Sequence, residues 1–256
     1  MIHWHCHESF TRMPAGAAAG RIAVVIDVLR ASTTMITALA RGAERVVPVA
    51  EVERARRVAA GIDRPVLLGG ERGGVRIEGF DLGNSPLEYT AERVRGRSVV
   101  ITTTNGTAAL HACRDAREIL IGAIVNRTAV AEWVRELAHA DEHVLLVCAG
   151  TDGMVSAEDV LAAGAILDAA SRIGPDDVLD ESAREARDFF RRVAASGDAP
   201  SALVAEFRRS PGGANLVDLG MAADLPAAAA IDSLPLVPRL KRATGHLEMV
   251  SATKSG

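Results

Sequence analysis

The chain has 256 residues, 48% of them hydrophobic and 24% charged, with a formal net charge of −4 at neutral pH. That length buries a sizeable core without a disulfide or metal staple, and the acidic balance excludes a general binder of nucleic acid or anionic membrane. Three scattered cysteines cannot frame a small disulfide scaffold, no charged-apolar-small leader opens the sequence, and no apolar run approaches the ~20 residues of a membrane span, so a cytoplasmic protein is expected.

In chain order, "HWHCH" at residues 3–7 reads as a strand, with His3, His5 and His7 on one face and Trp4 and Cys6 on the other. The three histidines suggest a metal site, and His5-Cys6 with Arg12 matches the spacing of a cysteine-dependent phosphatase loop. The following "HESFT" has no glycine with which to turn its N–H groups inward, so both are treated as decoys. Short β-branched runs follow, "IAVVI", "RPVLL", "SVVIT", "EILIGAI" and "HVLLVCA", separated by alanine-rich segments at helical spacing such as 34–41 and 129–138. The runs are continuously apolar, the pattern of strands covered on both faces. The fold class is therefore α/β, a three-layer α/β/α arrangement on a largely parallel or mixed sheet. A weak pseudo-repeat lays "VVIDVLRASTTMITALARGAERVV" on "VVITTTNGTAALHACRDAREILI", pairing Ile26 with Ile101, Thr33 with Thr107 and Glu44 with Glu118, so that two equivalent loops would converge on one crevice. Residues 176–209 suggest one or two surface helices, "RRSPGGANLVDLG" a sharp loop, and the tail from Lys241 a loose end. A single domain spans 1–256, with a motif-bearing region to about 165 and a helical region after it.

Four loops could carry chemistry. In "VVIDVLRASTT", Asp27 ends a buried strand and needs a cation, a metal or N–H donors; Arg30 is either that partner or an oxyanion clamp. Ser32, Thr33 and Thr34 stand at a helix start, as N-caps or phosphate binders. "LLGGERGGVRIEGFDLGNSPLEY", 67–89, holds six glycines, Gly70 among them, with Glu71, Arg72, Asp81 and Asn84; Ser85 and Glu88 fit a capping box. "TTTNGT" offers Thr104, Asn105, Gly106 and Thr107 to phosphate oxygens. "VCAGTDGMVSAEDV" places Cys148 at a strand end and Glu158 and Asp159 in a first helical turn, either as helix-start acids or as metal ligands.

These four segments, in this order, resemble the 2-phosphosulfolactate phosphatases, and "SPGGANLVDLGMAADL" is similar to that family's carboxyl-terminal segment. The resemblance implies a Mg²⁺-dependent phosphomonoester hydrolase of the route to coenzyme M, releasing 3-sulfolactate and phosphate. Its partner would be a small anionic phosphorylated substrate, with no nucleic acid or membrane, and a homo-oligomer is left open. Asp27, Glu71, Asp81, Glu158 and Asp159 are then the candidate Mg²⁺ ligands; Arg30 and Arg72 suit the substrate's several negative charges. Asp27, a metal-bound water and Cys148 all stay open as nucleophile. The alternatives are a phosphatase of another small phosphorylated hydroxy acid and a non-catalytic anion-binding protein.

Overall fold

A computed structural model describes residues 1–174, 176–243 and 246–251. Its first strand, β1 (Ile2–His7), alternates as expected: Ile2, Trp4 and Cys6 are buried and the three histidines half-buried. Then come β2 (Ile22–Ile26), α1 (Ala31–Ala40), β3 (Arg45–Pro48), α2 (Val52–Ala60), β4 (Val66–Arg72), β5 (Val75–Arg76), α3 (Ala91–Val94), β6 (Ser98–Thr102), α4 (Gly106–Ala112), β7 (Glu118–Gly122), α5 (Arg127–Leu137), β8 (Glu142–Cys148) and α6 (Ala157–Ile173). The last third holds β9 (Val178–Leu179), α7 (Glu181–Ala194), α8 (Ala199–Arg209), α9 (Pro211–Asp218), α10 (Asp224–Ala229), β10 (Pro238–Ala243) and β11 (His246–Ser251).

Among the described residues, eleven strands form a mixed sheet in the order β5-β4-β6-β3-β11-β10-β7-β2-β8-β1-β9. Two parallel groups, β4-β6-β3 and β7-β2-β8-β1-β9, are joined by the antiparallel β10–β11 hairpin. The hairpin touches each group through one register pair, Arg239–Leu120 and Met249–Val46. Part of the tail read as loose is thus inside the sheet, where backbone pairing outweighs its weak apolar patterning; residues 252–256 lie outside the described residues.

Both halves of the sequence repeat take strand–loop–helix–strand form, β2-α1-β3 and β6-α4-β7. Val25 and Ile121 from one strand group share a core with Val46 and Ile101 from the other, with Ile36 of α1 and Leu110 of α4 between them. Every residue of β2 is at most 1% exposed, each large side chain contributing roughly 2 kcal/mol of burial. The opposite face carries α6, whose small residues let α7 approach: a Cβ on Gly164 would meet the Ala186 carbonyl at 2.0 Å. That second core runs from Ile2 to Val237 and includes the carboxyl-terminal helices.

Candidate active site

The loops leaving the carboxyl ends of β2, β4, β6 and β8 meet at one cavity of about 200 Å³, the place where open α/β sheets bind ligands. Asp27 and Arg30 line it from the first loop, Glu71 and the Gly73-Gly74 turn from the second, Thr103 to Asn105 from the third and Thr151 and Asp152 from the fourth. Gly212 and Asn215 of α9 complete the wall, as does Asn84. A larger hollow of about 930 Å³ lies elsewhere, at the start of β7. Its Arg117 and Arg239 are already paired with Glu142 and Glu118, leaving them little to offer a ligand.

The cavity is built over an excess of buried acid. Asp27, Glu71, Glu158, Asp159 and Asp224 are each at most 7% exposed; Asp27, Glu71 and the buried guanidinium of Arg30 line the cavity, whereas Glu158 and Asp159, which act on Asp27, and Asp224, which pairs with Arg30, do not. Arg30 is not the partner of Asp27: its Nη1 donates to Asp224 Oδ2 at 2.9 Å and its Nη2 to the Gly74 carbonyl at 2.7 Å. Asp27 Oδ1 instead accepts from the Ala31 N–H at 3.1 Å, while Oδ2 has no hydrogen bond among the described residues. Burial, reinforced by the Glu71 and Glu158 carboxylates, pushes Asp27 up to about 7 against the opposing Ala31 N–H and Arg30. Asp159 is also raised well above the ordinary carboxylate range, by burial and then by Glu158 and Asp27, although its two oxygens accept from the Val28 and Gly150 N–H groups at 2.8 and 2.9 Å. Glu158 is likewise raised by burial, opposed in part by the Ser210 hydroxyl, and its Oε2 is buried without a partner.

Such a cluster needs protons or a cation, since each uncompensated buried carboxylate costs several kcal/mol. No three His, Cys, Asp or Glu side chains among the described residues converge as a complete metal site. Mg²⁺ does not require one: it takes one or two carboxylates and fills its other positions with water and phosphate oxygen. The free Asp27 Oδ2 and the orphaned Glu158 Oε2 therefore fit a divalent cation better than Glu71 and Asp159 do. Glu71 accepts from Gly74 N, Thr104 N and Thr104 Oγ1, and Asp159 ties two loops together.

Several expected residues serve other ends. Ser32 Oγ accepts from Asp27 N, Thr33 Oγ1 donates to the Val28 carbonyl and Thr34 Oγ1 to the Asn84 carbonyl, so these hydroxyls pin the loop and none lines the cavity. The N-cap of α1 is Arg30, without a side-chain cap bond. Arg72 is turned to the Glu71 and Ala50 carbonyls and Thr102 Oγ1, and Asp81 is exposed, holding Leu68 N at 2.8 Å. Neither lines the cavity. Gly70 serves close strand approach, for a Cβ there would meet the Thr102 carbonyl at 2.1 Å, and Thr107 Oγ1 donates to Thr103 O. Cys148 is fully buried beside Cys6, and that contact, then burial, raises its thiol well above the ordinary range, the reverse of an activated nucleophile. Ser85 and Glu88 form no capping box: Ser85 donates to Asp224 and Glu88 accepts from Gly83 N. Ser156 does precede α6 but bonds Thr151 Oγ1 rather than the helix.

Gly106 takes a role other than direct phosphate contact: a Cβ there would lie 2.7 Å from both Asp27 Oδ2 and Ala31 Cβ, so only glycine lets α4 reach Asp27. Sequence reasoning missed Thr103, whose buried Oγ1 has no partner, along with Gly212, Asn215 and Asp224. Pro-Gly-Gly reads as a loop, yet Ser210 caps α9 by accepting from Gly213 N, and Pro211 is its first residue. The signal available was Ser-Pro followed by apolar spacing. Asn84 Oδ1 is also buried without a partner, so three unpaired polar atoms, with Thr103 and Glu158, occur in and around the cavity.

The β1 histidines sit elsewhere. His5 Nε2 and His143 Nδ1 are 2.9 Å apart and hydrogen-bonded, with His5 Nδ1 3.3 Å from Asp180, so these ring nitrogens are engaged with each other and with Asp180 rather than turned to a common centre.

The model of the 2-phosphosulpholactate phosphatase family matches residues 9–243, beginning just after the histidine strand. A probable 2-phosphosulfolactate phosphatase of Symbiobacterium thermophilum is 45% identical over 228 residues, 88% of this chain and 93% of the relative. One from Deinococcus radiodurans is 45% identical over 86% of this chain and 87% of its own length, and one from Synechococcus sp. 43% identical over 89% and 91%. No helix among the described residues is long and apolar enough to cross a membrane. With a match that takes in all four loops and the α9–α10 segment, the chain belongs to the 2-phosphosulpholactate phosphatase family.

Proposed function

We propose that this chain hydrolyses the phosphate monoester of 2-phospho-3-sulfolactate, releasing 3-sulfolactate and inorganic phosphate, with Mg²⁺ as cofactor and in the manner of coenzyme M biosynthesis. The observation that carries the reading is the set of buried carboxylates in the cavity wall and behind it, with Asp27 Oδ2 and Glu158 Oε2 left without hydrogen bonds. A pure anion receptor gains nothing from such acids. The cavity of about 200 Å³ suits a three-carbon substrate rather than a nucleotide or a peptide.

Asp27 and Glu158 would hold the Mg²⁺, which when bound supplies positive charge to the phosphate oxygens. Within the chain, Ala31 N–H holds Asp27 through Oδ1, and Gly106 leaves room for Oδ2. Arg30 retains two N–H groups beyond its bonds to Asp224, Met221 and Gly74, and these meet oxyanion charge that grows in the transition state. Thr103 Oγ1 and the Asn84 amide, both without a partner at their oxygen, orient the substrate. Glu71 locks the Gly74 turn to Thr104 and so closes the wall around the ester.

The test is phosphate release from a panel of small monoesters with Mg²⁺. Preference for 2-phospho-3-sulfolactate supports the reading. Preference for a hydroxy-acid phosphate lacking sulfonate refutes the named substrate, and tight binding without turnover refutes hydrolysis.

A further inference from the structure

Arg30 lines the cavity but is only 4% exposed, and its orientation is set from outside its own loop. Nη1 donates to Asp224 Oδ2 and contacts Met221 Sδ, both from the carboxyl-terminal segment, while Nη2 reaches the Gly74 carbonyl. Asp224 accepts at its second oxygen from Ser85 Oγ at 2.5 Å, in the residue next to Asn84. Both side chains of the ion pair are 3% exposed. A guanidinium is a planar fork whose use depends on how that plane is turned, and a carboxylate with both oxygens engaged holds it in one orientation.

We propose that Asp224 is a positioning residue that, braced by Ser85, turns Arg30 so that its two remaining N–H groups face the oxyanion of a bound phosphate ester. The inference rests on the reading of the cavity as a phosphate-ester site. It gives the carboxyl-terminal segment two parts in the site: α9 walls the cavity through Gly212 and Asn215, and α10 fixes its one buried cation.

The experiment is a double-mutant cycle read by calorimetric binding of inorganic phosphate to the full chain with Mg²⁺ present. It uses wild type, Asp224→Asn, Arg30→Met and the double variant. Asp224→Asn keeps the side-chain volume but removes the charge, and is expected to weaken phosphate binding about tenfold, the scale of losing a partner that orients a ligating group. In the Arg30→Met background the same change should add less than twofold. A further tenfold loss there, an unchanged affinity in Asp224→Asn, or a wild type that binds no phosphate would each overturn the proposal. Ser85→Ala leaves the ion pair in place and should weaken binding about threefold in the same direction, which covers the case of an Asp224 variant that does not fold. Ester turnover is followed on the same proteins: its absence from the wild type would refute the proposed activity, while the phosphate cycle decides the role of Asp224 separately.

Discussion

The turns after β2 and β6 both follow parallel strands, both are rich in hydroxyls, and both reach the same cavity, but they are built differently. In the first, Ser32, Thr33 and Thr34 are all committed to backbone groups of their own or a neighbouring loop, and Asp27, Leu29 and Arg30 face the ligand space. In the second, Thr104 is tied to Glu71 while Thr103 Oγ1 stays buried without a partner at the wall. The first turn is a rigid mount for one acid and one cation; the second is part of the receiving surface. What separates ligand-binding hydroxyls from structural ones is whether the folded chain has already satisfied them.

The largest effect expected is at the mount. Asp27→Asn should lower turnover by ~10³ or more, the scale of removing a catalytic group, while leaving the protein folded. Glu158→Gln should weaken Mg²⁺ binding by about 10–100-fold and be partly rescued by excess metal. Full activity in either variant at low Mg²⁺ would move the chemistry away from these acids.

The two turns separate more finely in a paired comparison. Thr103→Val should lower kcat/KM roughly tenfold with little change in Tm, since no bond within the fold is lost. Thr33→Val should do the opposite, removing a buried bond to Val28 at about 1–3 kcal/mol and shifting Tm by a few degrees with kcat/KM unchanged. Equal effects on activity would erase the distinction.

The smallest effect is on stability against pH. Asp27 binds its proton more tightly folded than unfolded, so its contribution is fully present below about pH 4 and is lost as pH rises through about 7. In metal-free protein, the Tm of the wild type should therefore fall relative to Asp27→Asn between pH 5 and pH 8. Saturating Mg²⁺ should remove that difference. A constant gap across the range would mean that folded Asp27 has no proton to lose between pH 5 and pH 8.

The strands were legible because their signals are local: "IAVVI" and "SVVIT" coincide with β2 and β6. The convergence of the four loops was legible, and Asp27, Arg30, Glu71, Asn84, Thr104 and Asn105 do line the cavity where they meet. Side-chain commitments were not, because their partners are distant in the chain. Arg30 is spoken for by Asp224, 194 residues away, and Glu71 by Thr104, 33 residues away. Arg72 looked equivalent to Arg30, but one strand position further it faces Ala50 and Thr102 instead of the cavity. The place of the tail hairpin in the sheet was missed because it depends on the gap between two strand groups rather than on its own sequence.

On the proposed reading, the excess acid at the cavity holds a divalent cation that the ester hydrolysis needs. The direct measurement is phosphate release from 2-phospho-3-sulfolactate by chelator-stripped protein, before and after titration with Mg²⁺, in wild type and Asp27→Asn. Stripped wild type should release no phosphate and recover on adding Mg²⁺, and Asp27→Asn should not recover; undiminished release in the presence of chelator would show that the hydrolysis needs no such cation.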